Sequence, residues 1–172
     1  MSLRHSDYVR VGVECEIGVR LARDLAPGGR AFTAESVADA IDAYHPAIEI
    51  VDDRYADWRG IGAATLVADD FFAAGCVLGA AVARMAAPDL LEVMGIALIN
   101  GVEAGRGSGA DVLGHPHAGL AWLANHMAAQ RKTLRAGQIV LTGSLVQTVW
   151  LEAGDRVMME LSGLGCVAAE FA

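Results

Sequence analysis

Lysine, proline, aromatic rings and long apolar runs are all scarce in this sequence, and each scarcity excludes something. Lysine occurs once, at Lys132, and Lys and Arg together number 13 against 21 Asp and Glu, leaving a net charge of −8. That sign opposes the counterion release from which nucleic-acid binders draw affinity, so no nucleic-acid partner is expected. Only four prolines accompany 20 glycines, and with 54% hydrophobic residues, 20% charged residues and a mean hydropathy of +0.38 the chain is neither disordered nor of low complexity. The uncharged stretch from Ala73 to Ala83 is closed by Arg84. It falls short of the ~20 residues a membrane-spanning helix needs, so no membrane partner is expected either. Arg4, Asp7, Arg10 and Glu14 interrupt the N-terminal stretch, so no secretory signal is visible there. Cys15, Cys76 and Cys166 are odd in number and far apart, which reads as reduced thiols in or near the core of a cytoplasmic protein. A chain of 172 residues is expected to form one domain, residues 1–172.

The strongest periodic signal starts at Val9, where Val9, Val11, Val13, Cys15, Ile17, Val19 and Leu21 alternate without a miss against Arg10, Gly12, Glu14, Glu16, Gly18 and Arg20. That period predicts a half-buried strand. Thr33 is a good N-cap for a helix over about 34–44 that buries Val37, Ala40 and Ile41, with Pro46 ending it. Ala47 to Val51 reads as a second strand and Asp52 to Tyr55 as its polar exit. A short helix is expected between Thr65 and Ala74, then an apolar strand near Cys76 to Leu78. Asn100-Gly101 between two extended runs supplies the positive φ values of a type I′ hairpin turn. Pro116 suits a first helical position, and Leu120, Leu123, Ala124 and Met127 form one stripe on a helix ending near Arg131. Four more strands follow, at about 139–142, 146–151, 156–161 and 166–171, divided by turns at Gly143-Ser144, Gly154-Asp155 and Gly163 to Gly165. Met1 to Leu3 read as lying outside the fold. The total, about eight strands and three helices unevenly interleaved, is a β-rich α+β domain.

Glu14 and Glu16 fall two apart on the polar face of the first strand, so their side chains point the same way from Cα atoms about 6.6 Å apart. Such a pair is ordinary on a solvated strand face, but carboxylates held this close repel unless a cation lies between them. Mg²⁺ or Mn²⁺, which take oxygen ligands, would suit, with Glu49, a lone acid on an apolar strand, as third ligand. Gly12 and Gly18 flank the pair and leave room for a ligand to approach. His115 and His117 mimic an H-x-H metal pair, yet His115 before Pro116 reads as a helix cap and side chains two apart on a helix diverge. Trp58, Trp122 and Trp150 read as core or interface fillers.

The strings Val13-Glu14-Cys15-Glu16-Ile17 and Ile48-Glu49-Ile50-Val51-Asp52-Asp53-Arg54-Tyr55-Ala56-Asp57-Trp58 resemble the fumarylacetoacetate hydrolase superfamily. More narrowly they look like its 2-keto-4-pentenoate hydratase and 4-oxalocrotonate decarboxylase branch. Ala68-Asp69-Asp70, Gly75 to Gly79, Val112 to Pro116, Ala121 to Asn125, Leu134 to Gly137 and Leu141 to Leu145 follow in the same order as in that branch, so the resemblance covers nearly the whole chain. It implies an α+β fold: the mixed β-roll of the fumarylacetoacetate hydrolase C-terminal domain, with a few peripheral helices and a homodimeric or larger assembly. It implies Mg²⁺ or Mn²⁺ held by three acids, which map onto Glu14, Glu16 and Glu49. Hydrolases of the superfamily place a lysine shortly after the third acid. Asp69-Asp70 stands in that neighbourhood here, which favours the hydratase/decarboxylase branch.

The implied activity is metal-dependent hydration of a 2-hydroxy-2,4-dienoate to a 4-hydroxy-2-oxo acid in aromatic-compound catabolism. The alternatives are decarboxylation of a 4-oxalocrotonate-type acid, or a non-catalytic metal-binding module that pairs with a pathway enzyme. Members of the branch carry a region before the Glu-x-Glu strand that supplies a lid and a lysine. This sequence is expected to lack it, and Lys132 reads as a solvated charge after a helix. Asp52 could orient a ligand from behind, and Thr142, Gly143 and Ser144 could face a substrate carboxylate.

Overall fold

Residues 1–172 are described by a computed structural model. In chain order its elements are β1 (Ser2–Leu3), β2 (Val11–Leu21), α1 (Ala34–Ala38), β3 (Ile41–Asp52), α2 (Ala63–Ala68), β4 (Ala73–Leu78), β5 (Val82–Ala83) and β6 (Met94–Ile99). Then follow β7 (Val102–Ser108), α3 (Pro116–Ala129), β8 (Ile139–Ser144), β9 (Val149–Trp150), β10 (Asp155–Leu161) and β11 (Gly165–Phe171). One sheet has the order β1-β11-β10-β6-β7; the other has β4-β3-β2-β8, with β5 also paired to β3 and β9 to β2. The β1–β11 pair is parallel and the remaining pairs are antiparallel, which makes the first residues part of the fold rather than an appendage.

The core lies between the sheets. The odd-numbered residues of β2 from Val11 to Leu21 are all buried in it, as their alternation predicts, and they meet Met159, Leu161 and Phe171 from the other sheet. Burying each such side chain contributes about 1.5–3 kcal/mol relative to leaving it in water. The even-numbered face of β2 turns away from this core and carries Glu14 and Glu16. Cys15 is buried, and burial pushes its thiol up to about 12, whereas Cys76 and Cys166 are exposed rather than in the core.

The segment after Thr33 departs from its expected form. Thr33 and Ser36 make the cap, but the helix ends at Ala38 and β3 starts at Ile41, running through Pro46 to Asp52. Long-range pairing decides this: β3 matches β2 from Val11↔Asp52 to Leu21↔Ile41, and a helix there would leave the first half of that ladder open. Pro46 is tolerated because its carbonyl accepts from Gly79 N–H at 2.8 Å. Its missing donor therefore faces the gap between β4 and β5 on that side. The Asn100-Gly101 turn has φ values of 53° and 81° and joins β6 to β7 as expected.

Helix α3 also begins as predicted, with His115 Nδ1 accepting the His117 N–H at 3.0 Å and Pro116 in the first turn. His117 is 7% exposed and shares a 3.0 Å hydrogen bond with the Tyr44 hydroxyl. Burial, then the neighbouring His115, hold its pKa down at about 4. Because the folded value lies below the unfolded one of ~6.5, this group's contribution is complete above pH 6.5 and is lost as pH falls towards 4. The full loss is about 3 kcal/mol. Urea unfolding at intervals from pH 7 to 4 should therefore show a difference between the unsubstituted chain and His117→Gln that shrinks with acidity; a constant difference would refute it.

Candidate metal centre

Glu14 and Glu49 sit directly opposite each other in the β2–β3 ladder, and Glu16, opposite Ala47, lies diagonal to Glu49. One carboxylate oxygen from each of Glu14, Glu16 and Glu49 lies within 4.8 Å of the others. Glu16 is the buried member at 2% exposure. Burial pushes its carboxyl up to about 9, the charges of Glu49 and Glu14 adding to that rise, and only the Gly143 N–H opposes it. The Glu49 carboxyl is also raised, first by burial and then by Glu14 and Asp70. Three carboxyl groups crowded together at this depth form an all-oxygen donor set, one that Mg²⁺ or Mn²⁺ satisfies by taking the place of the protons.

The edge of β2 opposite β3 supplies the supports. Pairing with β8 slips between Glu16↔Ser144 and Gly18↔Leu141, so two β8 residues, Thr142 and Gly143, face one β2 residue in a bulge. Gly143 has φ +119°, and its N–H, turned out of the ladder, donates to Glu16 Oε2 at 2.7 Å. Between β8 and β9 the chain brings the Thr148 hydroxyl onto Glu14 Oε1.

The other expected site residues serve the fold. The Thr142 hydroxyl donates to the Ile17 carbonyl at 3.0 Å and that of Ser144 to the Val146 carbonyl at 2.7 Å. Asp52 Oδ1 accepts the N–H groups of Val9 and Arg10 at 2.9 and 2.7 Å, which fixes the entry to β2. The space over Gly12 and Gly18 is not left for a ligand either. A Cβ on Gly12 would lie 2.8 Å from Thr148 Cγ2 and 2.9 Å from Trp150 Cε3, while Leu78, His45 and Ile139 pack over Gly18. The glycines thus admit protein side chains, and Gly12 lets the Thr148–Trp150 segment lie flat beside the acids. Lys132 is exposed after α3.

A cavity of about 510 Å³ opens over Glu14 and Glu49, bounded on its polar side by Asp53, Asp70 and Thr148. Its apolar side is Trp58, Phe71, Phe72 and Trp150. Neither Trp58 nor Trp150 is a core filler; they are 38% and 39% exposed, and Trp122 on α3 is 65% exposed. Arg10 ties two parts of the wall together, 3.6 Å from Asp53 and with its guanidinium 4.2 Å from the Trp150 ring centre.

Asp70, Phe71 and Phe72 have φ values of 59°, 50° and 73°, three consecutive side-chain-bearing residues in left-handed backbone. Each costs on the order of 1–3 kcal/mol and persists only where its surroundings over-determine it. Arg54, just beyond β3, does so: its guanidinium donates to the Asp69 carbonyl at 3.0 Å, to Asp69 Oδ2 at 2.7 Å and to the Ala73 carbonyl at 3.3 Å, gripping both ends of the strained turn. Residue patterns mark Trp58 and Trp150 only as fillers and Asp70 only as part of a block; Phe71 and Phe72 go unmarked, and their adjacency after two aspartates is the one local oddity that could have found them.

The chain matches the fumarylacetoacetate (FAA) hydrolase C-terminal family over residues 3–172. It is 36% identical over 171 residues to the 2-hydroxyhexa-2,4-dienoate hydratase of Comamonas testosteroni, covering 99% of this chain and 64% of that protein. It is 38% identical over 160 residues to the 2-keto-4-pentenoate hydratase of Paraburkholderia xenovorans, covering 92% and 58% respectively. The structure of 4-oxalocrotonate decarboxylase from Pseudomonas putida G7, complexed with magnesium and adipate, superposes with a TM-score of 0.92 at 29% identity, covering 99% of this chain and 64% of that one. The chain thus spans about three fifths of the length of the curated relatives it matches. With the β-roll and the match along almost every residue both in hand, the chain belongs to the fumarylacetoacetate hydrolase C-terminal family.

Proposed function

We propose that Glu14, Glu16 and Glu49 hold one Mg²⁺ or Mn²⁺ and that the cavity above them hydrates a 2-hydroxy-2,4-dienoate to a 4-hydroxy-2-oxo acid. The observation that carries this reading is the convergence of the three carboxylates within 4.8 Å, with Glu14 and Glu49 lining an open cavity and Glu16 buried beside them. The hydratases to which the chain is similar support it, and so does the magnesium in the decarboxylase structure. When bound, such a cation supplies a Lewis acid to the carboxylate and C2 oxygen of a 2-oxo acid.

The chain's own groups supply the rest. Gly143 N–H and the Thr148 hydroxyl fix one oxygen each of Glu16 and Glu49's neighbour Glu14, so the acids are oriented before anything binds. Hydration needs the C2 hydroxyl to lose a proton and C5 to gain one, after which water adds at C4 and C3 is protonated. Asp70 lines the cavity and makes no ion pair, whereas Asp53 is engaged with Arg10, so Asp70 is the carboxylate placed to carry those protons. Trp58 and Trp150 shield that side from bulk water. Decarboxylation of a 4-oxalocrotonate-type acid is the second reading, favoured by the TM-score of 0.92 to that decarboxylase. The chain would act in the cytoplasm as a homodimer or larger homo-oligomer.

The test is an absorbance assay of the full chain with 2-hydroxypenta-2,4-dienoate. Loss of the conjugated dienoate signal should require Mg²⁺ or Mn²⁺ and fall at least a hundredfold in Glu49→Ala. Metal binding measured by calorimetry with no turnover of either substrate class would leave a metal-binding module instead.

A further inference from the structure

Resting on that reading, we infer that the preferred substrate carries a bulky apolar group, an aryl ring or a branched alkyl chain, at the end remote from its chelating carboxylate, and that Phe71 is the residue that selects it. The cavity is about 510 Å³, and Trp58, Phe71, Phe72 and Trp150 line it together with Glu14 and Glu49. That volume lies within the range that buries drug-sized ligands, several times what a small dienoic acid fills. Phe72 is the centre of a cluster, its ring 5.9 Å from Tyr55, 6.0 Å from Trp58 and 5.9 Å from Phe71, with near-perpendicular planes in each pair. Edge-to-face contacts of this kind fix the wall's shape.

Phe71 is the member left open. It is 56% exposed and lines the cavity that begins at Glu14 and Glu49. Its backbone is left-handed, which a bulky residue adopts only under constraint, and the Arg54 grip on Asp69 and Ala73 provides that constraint. The grip fixes the turn, and with it the Phe71 ring packed edge-to-face on Phe72 and open to the cavity. An apolar ring held over a polar chelating floor, within one cavity, fits a ligand with a charged head and an apolar tail. A ring laid against Phe71 and Trp58 removes on the order of 100 Å² of apolar surface from water, corresponding to roughly tenfold to a hundredfold in affinity.

The test uses two 2-oxo acids that share the chelating end and lack the double bond that hydration needs, 2-oxobutanoate and 2-oxo-4-phenylbutanoate, titrated calorimetrically into the full chain with saturating Mn²⁺. The phenyl acid should bind at least tenfold more tightly. Phe71→Ala should cut that ratio below about threefold, and Phe71→Leu, which keeps an apolar side chain, should restore part of it. Equal affinities in the unsubstituted chain, or an unchanged ratio in Phe71→Ala, overturn the inference while leaving chelation standing. Binding of neither acid would remove the proposed function first, and this inference with it.

Discussion

Glu16→Gln is expected to leave a folded chain that no longer responds to divalent cations. At a cation concentration a hundred times its dissociation constant, binding to the native state alone adds about 2.7 kcal/mol. For a chain of this size that raises the unfolding midpoint by roughly 5–10 °C. The amide keeps an oxygen for the Gly143 N–H but removes the charge from the most buried of the three ligands, at 2% exposure. The midpoint of the variant should therefore be the same in Mn²⁺ and in chelator. In chelator the substitution should also stabilise. The Glu16 carboxyl, lifted to about 9 by burial beside two other acids, keeps a proton that the unfolded chain gives up near 4.5. Its contribution is present below pH 4.5 and is lost as pH rises towards and through 9, a loss that glutamine does not suffer. Scanning calorimetry at pH 8, with and without Mn²⁺, checks both halves. A variant that keeps the full metal-induced rise would show that the cation is not held here.

What could be foreseen of this site divides by the range of the interactions that make it. The Glu14–Glu16 pair was legible because β2 alternates without a miss over its whole length, which fixes both the strand and the face its acids occupy. The Asn100-Gly101 turn and the Pro116 start of α3 were legible for the same reason, each being set by residues within a few positions. The first half of β3 was not. Val37, Ala40 and Ile41 have a helix's spacing and Pro46 looks like a stop, but pairing with β2 outweighs local preference. The occupied space over Gly12 and the open aromatic wall were equally hidden. Thr148 reaches Glu14 across 134 positions, and the Arg54 grip on the left-handed turn depends on side-chain geometry that no periodicity encodes. Glu49 stood between these cases. Its isolation on an apolar strand marked it as a candidate, the family resemblance placed it third among the acids, and the register opposite Glu14 brings it there.

Gly143→Ala should be the most damaging change of a residue that is not itself a ligand. At φ +119° a Cβ strains the backbone by on the order of 1–3 kcal/mol, and here it would also lie 3.0 Å from Val112 Cγ1. The chain can relieve both by rotating the bulge, and doing so swings the Gly143 N–H away from Glu16 Oε2, now 2.7 Å distant. A hydrogen bond to a buried charged group contributes about 1.5–3 kcal/mol, and losing a support of this kind typically costs 10–100-fold in metal affinity. Gly154→Ala separates strain from site: Gly154 has φ +93°, nothing within 4 Å of its Cβ position and no contact with the acids. Both variants should lower the unfolding midpoint by several degrees. Only Gly143→Ala should also weaken Mn²⁺ binding, by at least tenfold in calorimetric titration. If the two bind Mn²⁺ alike, the bulge is merely a feature of the sheet, and Glu16 is oriented by its burial alone.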